Sequence, residues 1–241
     1  MAGTTDPQGE LFDVLTPEGE RTELTVTRDV AHRSGLWHAA FHLWIAWREG
    51  EEIFVLLQRR SLTKDTMAGR IDVSVGGHFR AGEYDPQRLR QGADREPVLR
   101  ELYEELGLQA DPRDLRWVGS RWSQHQEQNT EDYEIQELFL WLLPAPPHTL
   151  MPDPQEVAQV LAVPLAVLAD LLTGALPNAE ARVLWDGTGR MPADSKTVVT
   201  LADLVPGRRA YWRAMLKLIE SAVLGRPLAV LTLRSRGAGE E

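Results

Sequence analysis

The sequence predicts an α+β protein in which strands are grouped in layers around a few helices. Three observations carry that expectation. Apolar runs of strand length, such as Phe41–Trp47 and Ile53–Gln58, are separated by polar turns. One acidic amphipathic segment, ending at Gly107, has helical spacing. A second segment, Arg209–Leu224, places Trp212, Met215, Leu216, Ile219 and Val223 on one helical face.

Taken in order, residues 1–9 are expected to be disordered. Leu11–Leu15 and Thr22–Thr27 flank Pro17-Glu18-Gly19, a turn signal, and read as a short hairpin. Phe41–Trp47 and Ile53–Gln58, joined by the polar run Arg48–Glu52, form a firmer one. Arg59 and Arg60 end it, and Ser61–Arg70 is a loop. Ile71–Val75 is a short strand running into Gly76-Gly77. After the acidic helix, Leu115–Trp122 and Tyr133–Leu143 read as strands around the polar segment Ser123–Asp132. Val157–Val163 is a further strand, and Pro164 opens a helix reaching Leu172. Residues 174–206 are loop-rich, with Trp185–Gly189 as a turn. The tail from Arg234 frays. This divides the chain into a disordered start (1–9), a domain (10–173) and a C-terminal extension with one helix (174–241).

At 241 residues, 43% hydrophobic and 26% charged, the chain has the composition of a globular protein with a sizeable core. A net charge of −10 argues against a nucleic-acid polymer or an anionic membrane as partner. A small anionic substrate stays admissible, because a metal ion with local Arg and Lys inverts the field at one site. With no cysteine, disulfides, thiolate metal sites and cysteine nucleophiles are excluded. The start lacks a basic segment followed by an apolar run, and no apolar stretch is long enough to span a membrane. A cytoplasmic protein is expected, and a homodimer stays open.

The chemistry concentrates in residues 76–108. Glu101, Glu104 and Glu105 stand at i, i+3 and i+4, so three carboxylates share one helix face. Val98, Leu99, Leu102 and Leu106 occupy the other. Like charges stacked this way cost a few tenths of a kcal/mol, roughly, per pair. A hard divalent cation, Mg²⁺ or Mn²⁺, would offset that cost, since such ions take carboxylates together with substrate phosphates.

Gly77, five residues, Glu83, then R-E-L-Y-E-E-L-G-L from Arg100 resembles the Nudix box. The gap between the two parts, residues 84–99, is longer than the family's seven and reads as an extended surface loop. The resemblance implies an α/β/α sandwich with a mixed sheet and a metal-dependent hydrolase of diphosphate linkages. Glu101, Glu104 and Glu105, with the Gly76 carbonyl, would hold the cation. Glu83 and Arg100 read as a structural pair, and Gly77 and Gly107 as turn positions.

His32, His38, His78, Asp132 and Glu134 make a second constellation, since imidazoles with carboxylates suit Zn²⁺ or Mn²⁺ as well as Mg²⁺. The runs GLWHAAFHLWI and LLQRRSLTKDTMAGRIDVSVGGH resemble the isopentenyl-diphosphate isomerase-like branch of the Nudix superfamily. That resemblance implies a metal held by the five residues, and a substrate diphosphate bound by Arg60 and Lys64. The isomerases use a cysteine where this chain has Gly76, and their carboxylate box is eroded where this one is intact. Both departures favour hydrolysis over isomerisation. Glu104, Glu134 and Glu137 are the candidate general bases. The expected substrate is a nucleoside diphosphate derivative or a prenyl diphosphate, with an isomerase and a non-catalytic diphosphate-binding module as the alternatives.

Overall fold

In a computed structural model, residues 6–64, 66–127 and 130–234 are described. The hairpin β1 (Leu11–Leu15) and β2 (Arg21–Thr27) stands as its own two-stranded sheet. A helix α1 (Arg28–Ser34) follows, closed by Gly35 in the left-handed region. Next come β3 (His38–Glu49), β4 (Glu52–Arg60), β5 (Ile71–Asp72) and β6 (Val75–His78). Helices α2 (Pro86–Arg90) and α3 (Glu96–Leu106) precede the long strands β7 (Arg116–Glu127) and β8 (Thr130–Leu143). Then follow β9 (Val157–Pro164), α4 (Leu165–Thr173), β10 (Ala179–Asp186), β11 (Gly189–Arg190), β12 (Lys196–Val199), α5 (Arg209–Val223) and β13 (Leu231–Arg234).

Among the described residues, the main sheet runs β11-β10-β9-β4-β3-β8-β7-β13, with β12 beside β10, β5 beside β4 and β6 beside β3. It is mixed: β3 is parallel to β8 and β13 to β7, while the other pairs are antiparallel. Side chains alternate across it, as the two-residue period of a strand requires. From β3 and β8, Trp44, Ala46, Leu138 and Leu140 pack with Leu168 of α4 and Trp212, Met215 and Ile219 of α5. Phe41, Leu43, Ile45, Ile135 and Phe139 point the other way, onto Val98, Leu102 and Leu106 of α3. Helix, sheet, helix: the α+β expectation and its layered sandwich are met.

Three expectations change. Residues 6–9 form a turn with Asp6 buried, while residues 1–5 lie outside the described part of the chain. The lengthened loop after Glu83 contains α2, whose start is capped by Asp85 accepting from Gln87 N and Arg88 N. Residues 174–206 are not mainly loop: β10 buries Ala179, Ala181, Val183 and Trp185 in strand alternation and pairs with β9 and β12. The C-terminal segment therefore shares the sheet and core of the preceding domain. The expected turn at Trp185–Gly189 is the β10–β11 corner. The expected fraying from Arg234 falls, beyond that residue, outside the described part.

Candidate active site

A cavity of about 420 Å³ opens at the end of the sheet where β3 and β6 meet α3. Its residues come from points as far apart in sequence as Asp6 and Arg208.

Helix α3 brings the carboxylates. Pro97 lies in its first turn, and Gly107, in the left-handed region (φ 67°), ends it. Gly77 lets α3 close on β6: a Cβ there would stand 2.7 Å from Glu101 Cγ and 2.8 Å from Phe41 Cζ. Glu101, Glu104 and Glu105 all line the cavity. Glu105 is buried and accepts from Gln58 Nε2 at 2.8 Å. Burial pushes its carboxyl up to about 8, against the opposing charges of Lys64 and Arg60. Burial, then the Glu104 charge, raises Glu101 to about 7, with Arg100 opposing. Arg100 forks onto Glu83 at 2.8 and 3.2 Å, and Glu83 also accepts from the Arg80 backbone N–H at 2.9 Å. Gly76 lines the cavity from β6.

The second constellation also converges. The ring nitrogens of His32, His38 and His78 lie within 4.8 Å of one another, as do the ligating atoms of His38, Asp132 and Glu134. Register explains the convergence, because His38 pairs directly with Glu134 across the parallel β3–β8 ladder. Phe12 of the hairpin stacks on His38 and His78 at centroid distances of 5.1 and 4.9 Å. His38 Nδ1 lies 2.9 Å from the Leu36 carbonyl, which only accepts, so Nδ1 carries the proton. The lone pair of Nε2 then sits 3.7 Å from Asp132 Oδ1, with no hydrogen-bond partner among the described residues. His78 has both ring nitrogens engaged, Nδ1 with Arg28 at 3.3 Å and Nε2 with Glu134 at 3.0 Å. Burial and the Arg28 charge push His78 well down, toward the neutral form. Although burial alone would raise it, Glu134 is held well below the usual carboxylate range, first by the hydrogen bond from His78.

The expected phosphate ligands differ from each other. Arg60 lines the cavity and, among the described residues, bonds to protein through Nε alone, on the Thr66 carbonyl at 3.2 Å. The Lys64 ammonium lies between Asp6, at 2.5 Å, and Glu156. Glu137 does not line the cavity. It is fully buried on the α3 face of the sheet, accepting from Tyr84 (2.9 Å), Trp117 (2.6 Å) and Ser120 (2.7 Å). Of the three candidate general bases, Glu104 and Glu134 line the cavity, whereas the Glu137 oxygens are occupied by three donors.

Residues 36–184 match the NUDIX domain. The chain belongs to the Nudix family. It is 28% identical over 209 residues to an uncharacterized Nudix hydrolase of Clostridium acetobutylicum, covering 86% of this chain and 96% of that protein. It is 41% identical over 105 residues to Nudix hydrolase 3 of Arabidopsis thaliana, covering 44% of this chain but 12% of that longer protein. A Nudix hydrolase from Alicyclobacillus acidocaldarius aligns at TM-score 0.49 and 16% identity, over 80% of this chain and 97% of that one. This Nudix protein is a hydrolase acting on pyrophosphate bonds.

Nudix hydrolases use divalent metal ions, and the donor set here fits one. On α3 the partly buried Glu101 carboxyl feels the Glu104 charge and the buried Glu105 carboxyl feels that of Glu101, while the His38 lone pair faces a carboxylate, arrangements that a cation between the groups relieves. No described helix is long and apolar enough to cross a membrane.

Sequence reading missed much of the cavity wall in this Nudix domain and the segment beyond it. Arg28 of α1 touches His78. Arg208 at the start of α5 bonds Asp72 Oδ1 at 2.7 Å, Asp72 being buried and Arg208 partly so. Arg121 donates to Gln136 Oε1 at 2.6 Å, and Gln136 donates to Glu134. His42, buried, has its pKa pushed down to about 3 by desolvation and then by Arg208. Only His42 left a signal, standing four residues after His38 and so on the same strand face.

Proposed function

We propose that this Nudix hydrolase cleaves the diphosphate linkage of a small molecule, a nucleoside diphosphate derivative or a prenyl diphosphate, with Mg²⁺ or Mn²⁺ as its cation. The observation that carries this reading is the set of three α3 carboxylates in one cavity with the Arg60 guanidinium. Glu101, Glu104 and Glu105, with the Gly76 carbonyl, would hold the ion. When bound, it neutralises phosphate charge and lowers the pKa of water. Arg60 presents planar donors suited to phosphate oxygens. Lys64 would join it only by giving up part of its contact with Asp6 or Glu156. A water oxygen attacks one phosphorus, the bond from that phosphorus to the bridging oxygen breaks, and the bridging oxygen leaves with the second phosphate group. Glu134 or Glu104 takes the proton that the water gives up.

His32, His38, His78, Asp132 and Glu134 support a second metal centre of imidazole and carboxylate character. The specific support is the His38 Nε2 lone pair, which has no hydrogen bond among the described residues and is turned toward Asp132. The same cluster supports kinship with the isomerase-like branch. Isomerase chemistry is disfavoured, because Gly76 offers no side chain to deliver a proton to carbon.

A panel of nucleoside diphosphate derivatives, prenyl diphosphates and coenzyme A, assayed with Mg²⁺ and Mn²⁺, tests the reading. Phosphate-containing products are expected from at least one compound, and none once the cation is chelated. Enzyme-dependent deuterium incorporation into isopentenyl diphosphate would instead establish the isomerase, and binding without turnover a sensor.

A further inference from the structure

His42 and Tyr211 meet from distant parts of the chain. His42 lies on β3, is 5% exposed and lines the cavity. Its Nδ1 is 2.9 Å from the Tyr211 hydroxyl, which also lies 2.7 Å from Trp44 Nε1. An indole N–H only donates, so the hydroxyl oxygen accepts from Trp44. Among the described residues, the hydroxyl's own proton then has one neighbouring acceptor, His42 Nδ1. Tyr211 is 4% exposed, and a buried hydroxyl proton without an acceptor is costly. Nδ1 therefore accepts, and the one proton of the neutral imidazole sits on Nε2.

That Nε2–H makes no hydrogen bond among the described residues. Its ring edge abuts Gly76, where a Cβ would stand 3.6 Å from Cδ2 and 4.0 Å from Nε2. Glycine at this position leaves the edge uncovered. Charged groups of four neighbouring elements act on the ring: Asp72 of β5, Arg121 of β7, Glu134 of β8, and Arg208 from the start of α5. All four line the same cavity.

We propose that His42 is a substrate-contacting residue, a neutral imidazole locked by Tyr211 in its Nε2–H tautomer and donating to an anionic oxygen of the substrate. Tyr211 is then a positioning residue, acting through His42. The assignment rests on the diphosphate-cleaving reading and adds to it a directional donor on the sheet side of the cavity, opposite the α3 carboxylates.

Long-range ¹H–¹⁵N NMR on protein labelled in its histidine rings reads the tautomer directly, with His42→Gln identifying the signals. The expected result is a protonated Nε2 and a bare Nδ1, with the Nε2 resonance moving when methylenebisphosphonate is added with Mg²⁺. Tyr211→Phe is expected to give mixed tautomers. His42→Phe should raise KM about ten- to a hundredfold, the effect of losing one hydrogen bond to a charged group. His42→Gln, whose amide N–H reaches the Nε2 position, should recover part of that loss. A proton on Nδ1, or an Nε2 signal unmoved by the bisphosphonate, overturns the proposal. Both readouts are taken without turnover, so inactivity on every diphosphate would sink the functional reading and still leave His42 judged.

Discussion

Glu134 and Glu137 stand on one strand and face opposite sides of the sheet: Glu134 meets His78 Nε2 at 3.0 Å, whereas Glu137 meets Tyr84 Oη at 2.9 Å. The two therefore separate cleanly by substitution. In Glu134→Gln, turnover is expected to fall about a hundredfold or more, with the protein still folded. In Glu137→Gln, the amide presents N–H to groups that themselves donate, costing about 1–3 kcal/mol of stability while folded molecules keep their activity. Paired measurements of kcat and Tm check this. A folded Glu137→Gln with the kcat loss expected of Glu134→Gln would return Glu137 to the chemistry.

Glu104→Gln and Glu105→Gln are each expected to leave the fold intact and lower turnover about a hundredfold, since each removes a charge from the cation's ligand set. Because Glu105 is buried and Gln58 holds one of its oxygens, its amide variant should melt no lower than wild type without added cation. Wild-type rates from both variants in limiting Mg²⁺ would remove the carboxylates from the metal site.

The Glu83–Arg100 pair should show a pH signature. Burial raises the Glu83 carboxyl, but the Arg100 bond and the Arg80 backbone N–H outweigh it and hold the folded value below 4.5. A lowered folded value means that the stabilisation is full above the unfolded carboxyl's range and is lost as pH falls through the folded value. Arg100→Gln should thus cost about 1 kcal/mol or less near neutrality, since both partners are partly exposed, and progressively less in acid. Urea melts at pH 7 and pH 3 measure the difference, and a cost that grows toward acid contradicts the assignment.

Arg208 and Asp72 should be strongly coupled. Removing Arg208 leaves a buried carboxylate without its partner, at a cost of about 3–5 kcal/mol in Arg208→Ala. Asp72→Ala combined with Arg208→Ala should cost less than the sum of the single changes. Additive losses in a double-mutant cycle would show that the pair is not an energetic unit.

What was legible in the sequence follows the range of the interactions. The α3 carboxylates are written at helical spacing, so their shared face and the apolar face opposite could be read locally. His38, His78 and Glu134 come together through strand register, which no local pattern encodes, and a family pattern was needed to group them. Strand β10 gives only a weak local signal although it alternates, because two of its inward residues are Ala, with weak strand preference, and a turn signal follows at once. The seven-residue α1 and five-residue α2 are too short for helical periodicity to show. Arg208 and Tyr211 gave no sign of their place because Asp72 and His42 are 136 and 169 residues away.

The reach of α5 into the cavity has a consequence during synthesis. A ribosome that has released the glutamate helix and every histidine of the cluster has still not delivered Arg208 or Tyr211, and a chain grows at only about 5–20 residues per second. Until then, Asp72 lacks its counter-charge and the His42 imidazole lacks the hydroxyl that orients it. The nascent polypeptide thus carries its acidic centre early and completes the wall bearing Arg208 and Tyr211 only after β9, α4 and β10–β12 have followed.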